Sequence, residues 1–200
     1  MKSKLRKKLC VLATCLVCLN PLTHSQSIYK INESKDIDMR LSGTSTLHKW
    51  TMDAKTFSGE GQFIFKPGKG NELASITSLN FSLAVRDLKS GESGLDKNAY
   101  KALKSDEYQD ILYKLISAKV VSGKENQYIL KTQGILTIAG VAKEVTMDVN
   151  CTVNTDATLT FKGSYKLEMT DFKVKPPTFM LGAMKTGDAI TLDYILVYKK

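Results

Sequence analysis

The sequence predicts an all-β domain, an antiparallel barrel of about eight strands carrying one short helix, and three observations support this. Apolar and polar residues alternate with period two over long stretches, most clearly from Gly134 to Met169. Turn-forming residues separate those stretches at Lys66-Pro67-Gly68-Lys69-Gly70-Asn71, Ala139-Gly140 and Asn154-Thr155-Asp156. Helical spacing appears once, at Leu95, Ala99, Ala102 and Leu103. So many long antiparallel strands must hide their edges, and closing into a barrel does so.

At the N-terminus, Lys2, Lys4, Arg6, Lys7 and Lys8 precede the apolar run LCVLATCLVCL, which ends at Asn20-Pro21. The run is too short to span a bilayer, and with the small residues Thr23 and Ser25 after it the segment reads as a secretory leader. The expected division is a signal peptide over 1–25 and a single domain over 26–200 of an exported protein, periplasmic first and extracellular second. Acylation at Cys15 or Cys18 is the alternative, with Thr14 and Val17 poor residues before the cysteine.

Cleavage would remove five of 29 basic residues and none of the 20 acidic ones, leaving a mild +4. That excess is scattered over outer strand faces, without the basic stripe or aromatic interleaving of a nucleic-acid surface. At most it suggests transient contact with anionic head groups at a membrane surface. Cys10, Cys15 and Cys18 would leave with the leader, so Cys151 remains alone on the apolar parity of its strand and is expected to be a buried thiol.

In the domain, Ile37, Met39 and Leu41 alternate towards Gly43, and a long strand is expected through Met52, Ala54, Phe57, Phe63 and Phe65, with Gly59 and Gly61 marking bends or bulges. Leu79, Phe81, Leu83 and Val85 share one face of the next strand. Ser93 and Asp96 form a capping-box-like start to a helix over about residues 94–104. From Ile111 the chain returns to strand, with Ile116, Ala118 and Val120 expected inward, and Tyr128 to Ile138 continues with Leu130, Leu136 and Ile138 inward. Val145, Met147, Val149, Cys151 and Val153 then alternate against Glu144, Thr146, Asp148, Asn150 and Thr152, and Leu159, Phe161, Gly163, Tyr165, Leu167 and Met169 repeat the pattern. The final strand turns Ile190, Leu192, Tyr194, Leu196 and Tyr198 inward.

Four segments in order, GTSTLHKW, LDKNAYKALKSDEYQDILYKL, GILTIAGVAKEVTMDV and TDFKVKPPTFMLGAMKTGD, resemble the motifs of the YceI-like polyisoprenoid-binding family and cover nearly the whole mature chain. The chain departs from the family pattern at Gln109, where proline is frequent, and at Lys173, where glycine is. The resemblance implies an extended lipocalin-like barrel with an isoprenoid chain in its interior. From the residues alone, a filled core and a ligand cavity would be written the same way. On the family's implication, the ligand-lining candidates are Trp50, Phe63, Phe65, Phe81, Leu83, Ile116, Leu136, Met147, Phe161, Tyr165, Phe172, Phe179, Met184 and Tyr194.

His48, the one histidine after the leader, shares parity with Trp50 and is a candidate head-group contact. Nothing has the spacing of a nucleophile elbow, one histidine and one cysteine make a poor zinc set, and no Gly-rich loop opens a helix, so no catalysis, metal or cofactor is expected. The segment from Asp171 to Asp188 is unusually apolar for a connection, with Phe172, Val174, Phe179, Met180, Leu181 and Met184 around Pro176-Pro177. It reads equally as a plug completing a core or a gate across a barrel mouth. The expected function is non-catalytic carriage of an isoprenoid-like or fatty chain. The alternative is a solid barrel acting through its surface as a stress or adhesion partner.

Overall fold

The computed structural model describes residues 26–31, 38–54, 56–67, 71–123, 125–179 and 184–200. Residues 1–25, the expected leader, with their three cysteines, Ile37, Gly68-Lys69-Gly70, Met180-Leu181 and the Phe179 side chain lie outside the described residues. The strands are β1 (Gln26–Ile31), β2 (Asp38–Ser45), β3 (Lys49–Ala54), β4 (Phe57–Phe65), β5 (Leu73–Ala84), β6 (Leu88–Lys89), β7 (Asp110–Ser122), β8 (Gln127–Ile138), β9 (Val141–Val153), β10 (Leu159–Glu168), β11 (Thr178–Phe179) and β12 (Met184–Lys199). Helix α1 spans Ser93–Ala102, and 3-10 turns occupy Val85–Asp87 and Met169–Phe172.

Strands β1, β4, β5, β7, β8, β9, β10 and β12 pair antiparallel in that order, and β12 pairs back onto β1, closing an eight-membered ring. Towards the other end of β12, its edge is taken by β2, followed by β3 and β6. Thus β1 with β2 and β3 with β4 act as two long composite strands running antiparallel to each other. The predicted continuous strand from Met52 to Phe65 is therefore two strands, β3 ending at Ala54 and β4 starting at Phe57. Gly59 and Gly61 do not break it. A Cβ on them would meet Ile31 and the Phe63 ring, so they make room for neighbours, and the register shift falls just after them at Gln62/Phe63.

The meander β8–β9–β10 matches its periodicity. Ala139 (φ 48°) and Gly140 (φ 76°) both take the left-handed conformation, as a two-residue turn between strands requires. Strand β7 departs from expectation. Its register with β8 shifts between Leu115 and Ser117, so Ile111, Tyr113 and Leu115 face inward before the bulge, and Ala118 and Val120 after it. Ile116 is the extra residue and lies 53% exposed, not inward.

Helix α1 also starts differently. Its N-cap is Glu92, and the Asp96 carboxylate accepts from the Ser90 amide (2.8 Å) and hydroxyl (2.6 Å) rather than serving Ser93. The departures from family pattern are resolved locally. Lys173 adopts the left-handed conformation (φ 56°) in which glycine is free of strain, and the Gln109 carbonyl accepts a 2.8 Å hydrogen bond from the Val85 amide.

One end of the barrel is a packed floor. Tyr29 stands edge-on to Phe63 (5.2 Å between centroids), Phe63 to Phe161 (5.9 Å), and Phe161 tilts against Tyr198 (5.0 Å). Leu130, Leu159 and Cys151 are buried in the same core, and the Tyr128 hydroxyl accepts from the Leu73 amide. The thiol sits where its strand parity put it, and burial pushes it up to about 12.

Candidate functional site

Above that floor the barrel is hollow. An inner cavity of about 130 Å³ lies between its walls, and an outer one of about 90 Å³ lies at the end covered by α1 and the segment after β10. Leu41, Ile111, Ile138 and Leu167 line both, so the two adjoin across these four side chains. Among the described residues no charged side chain lines either chamber.

The wall stays thin because large rings lie flat along it. Tyr113 of β7 covers Gly134 of β8, where a Cβ would stand 2.5 Å from the phenol oxygen. Tyr194 of β12 covers Gly163, its register partner on β10, at 2.4 Å. Each glycine is a site of close approach rather than a bend. Five of the described lining residues carry hydroxyls, Tyr113, Tyr165, Tyr194, Tyr198 and Thr132, yet they turn almost no polar surface to the cavity. Burial raises all four phenols above their ordinary range, Tyr194 to about 12.

The outer chamber is roofed by Leu95, Ala99 and Ala102 of α1, by Leu103 directly after it, and by Phe172, Val174 and Pro177. None of the helix residues is fully buried. Tyr100 moors α1: its hydroxyl donates to the Leu88 carbonyl (2.7 Å) and accepts from the Lys89 ammonium (2.9 Å). The 171–188 segment is moored at its base. Asp188 accepts from the Thr170 amide (2.9 Å) and hydroxyl (2.5 Å), which holds its carboxyl below the usual range, and Lys143 bridges to Asp171 at 2.8 Å.

The lumen gathers most of the sequence candidates. Phe81, Leu83, Leu136, Met147, Phe161, Tyr165 and Tyr194 line the inner chamber, Trp50 and Phe172 the outer one. Phe63 and Phe65 belong to the core instead, Phe63 fully buried in the floor and Phe65 beside Tyr29. Ile116 faces outward because of the bulge. Met184 is half-buried and pairs with Phe179 in the β11–β12 ladder rather than lining the lumen. His48 is exposed, not inward. It sits in the β2–β3 turn, where its carbonyl accepts from the Ser45 amide (2.8 Å), while Trp50 donates from its indole nitrogen to the Thr44 carbonyl (3.1 Å).

Sequence reasoning missed Tyr113, Leu115 and the roofing role of α1. Tyr113 and Leu115 share the odd parity of Ile111, which was a usable signal, but the run Ile116, Ala118 and Val120 pointed to the other face. The helix's apolar stripe was visible, though not what it covers.

A family model for the YceI-like domain matches residues 29–198. Among solved structures, BcnA of Burkholderia cenocepacia superposes with a TM-score of 0.61 at 20% identity, over 80% of this chain and 95% of that one. A polyisoprenoid-binding domain from Saccharophagus degradans, implicated in plant cell wall breakdown, gives 0.65 at 8% identity, over 87% and 98%. The Campylobacter jejuni YceI protein gives 0.54 at 21%, over 74% and 84%. At these identities the structural likeness speaks for the fold. No curated protein matches the chain significantly.

Proposed function

The chain belongs to the YceI-like family, and from that premise we propose that it binds and carries an apolar, isoprenoid-like chain in the barrel lumen, without catalysis. The observation that carries this reading is the pair of adjoining apolar cavities inside the barrel, with no charged side chain lining them among the described residues. A hollow interior favours it over a solid barrel acting through its surface. The Saccharophagus neighbour, named for polyisoprenoid binding, supports the choice of chain.

Affinity comes from chain burial and has a modest ceiling. At about 0.3 kcal/mol per heavy atom, a chain of about 15 carbons gives about 4.5 kcal/mol, so micromolar binding needs a longer chain or a held polar group. We place the carrier in the periplasm after removal of residues 1–25.

The test is organic extraction of the purified full chain followed by mass spectrometry. An apolar compound approaching one equivalent is expected. If none is found, and the emptied protein takes up no long-chain probe, the carrier reading falls. Intact mass of the exported product should start at Gln26, and a retained leader or an added acyl mass overturns that part.

A further inference from the structure

The turn between β2 and β3 carries Leu47, 67% exposed and the most exposed large apolar side chain among the described residues. The turn is firmly held. The Ser45 amide (2.8 Å) and hydroxyl (2.9 Å) both donate to the His48 carbonyl. The Thr46 amide donates to the Lys185 carbonyl (3.0 Å), and the Lys185 amide donates back to the Thr46 hydroxyl (3.0 Å), which joins the turn to the start of β12. The Thr186 amide in turn donates to the Pro177 carbonyl (3.0 Å), which brings in the residues before β11. These three segments, 44–50, 175–179 and 184–187, hold the lysines Lys49, Lys175 and Lys185 and no acidic residue. All three lysines are exposed, and among the described residues none of them meets a carboxylate.

A single exposed leucine is ordinary on a protein surface. This one crowns a fixed turn whose bonded neighbours supply only positive charge. We propose that this corner of the barrel docks on a lipid bilayer bearing anionic head groups, with Leu47 entering the boundary between head groups and acyl chains and the three lysines meeting lipid phosphates. A soluble polyanion answers the lysines but leaves Leu47 in water, whereas a bilayer answers both. Each lysine near such a surface contributes about fivefold, so three contribute on the order of a hundredfold, and Leu47 adds about tenfold. Each of the three segments also lines the outer chamber, through Trp50, Pro177 and Thr186, so docking sets that end of the barrel against the membrane. The inference does not rest on what fills the barrel. A carrier that fails to dock overturns it alone, and a docking protein that yields no lipid on extraction leaves it standing.

The experiment sediments the exported product, emptied of lipid, with vesicles of phosphatidylcholine alone or with about one-third phosphatidylglycerol, at about 50 and about 500 mM salt. The wild type should bind the anionic vesicles at least about tenfold more tightly than the neutral ones, and high salt should erase most of the difference. Leu47→Ser should weaken binding to anionic vesicles by about tenfold, and Lys49→Gln/Lys175→Gln/Lys185→Gln by about a hundredfold. Arginine at the same three positions should restore it, and Ile116→Ser, an exposed apolar residue on the barrel wall, should leave it unchanged. All variants should melt with the wild type because the altered side chains lie in water. Absence of any preference for anionic vesicles in the wild type overturns the docking surface, as does full binding by Leu47→Ser. An equal loss in Ile116→Ser shows general adhesion of the barrel wall and overturns the assignment to this corner. Failure of the arginine variant to restore binding ties the lysines to packing rather than charge and overturns it too.

Discussion

The two ends of the barrel are built from different materials. At the floor, rings from β1, β4, β10 and β12 interlock, and Phe63, Leu130, Leu159 and Tyr198 lose all contact with solvent. At the roof a ten-residue helix buries none of its side chains fully and is tied down through Tyr100. Close packing of that kind resists change by even a methylene, whereas a half-buried helix opens at small cost. Stability therefore resides at the floor and access at the roof.

The sharpest test of that division is a pair of truncations. Phe63→Ala should cost about 3–5 kcal/mol, as large ring deletions in cores do. Leu95→Ala on α1 should cost under about 1 kcal/mol and speed the release of bound lipid. Urea denaturation and lipid-release rates on both variants decide it, and equal losses would abolish the distinction.

A smaller effect comes from buried acids. Cys151, at the floor, is pushed from about 9 to about 12, and Tyr194, in the lumen wall, from 10 to about 12. The unfolded chain releases these protons first, so stability is intact below pH 9 and falls as pH rises towards 12, by up to about 1.4 kcal/mol per pH unit for each group. Melting temperatures across that range should show the fall, and Cys151→Ala should flatten it. Near neutral pH the native thiol should resist a polar alkylating reagent and react only after denaturation. Rapid native labelling would mean that the faces of β9 are reversed.

At the roof, Lys173→Gly should stabilise the protein by about 1 kcal/mol, because lysine is strained at φ 56° and glycine is not. The least effect belongs to the wall. Ile116→Ser should change stability by under about 0.5 kcal/mol and leave lipid content unchanged. A marked loss in either would place Ile116 inside after all.

The all-β barrel and its meander were legible because period two survives wherever a strand has one wet and one dry face, as in Val145 to Val153. What failed was local. A single inserted residue in β7 reverses parity without altering composition, so Ile116 read as inward and Tyr113 went unnoticed. His48 shares parity with Trp50, but a tight turn between β2 and β3 frees it from the strand's alternation. Phe63 was rightly placed inside, yet alternation cannot distinguish a ring packed in a floor from one lining a space. The hollow itself had only a faint signature, Gly134 and Gly163 at inward positions, whose meaning depends on rings that come from other strands.

Strand β12 touches β1, β2, β10 and β11. Of the described strands it is also the last to be synthesised, which sets an order of assembly. The strands from β7 to β10 join sequence neighbours and can pair as they emerge, but the ring cannot close before residues 184–199 arrive, and such distant pairings form slowly. Until then the chain is a curved sheet with two open edges and its apolar lining in water, a form prone to wrong partners. Closure makes the floor and the hollow above it in one step, so the protein acquires its capacity to hold a chain at the moment it becomes folded, and not by degrees.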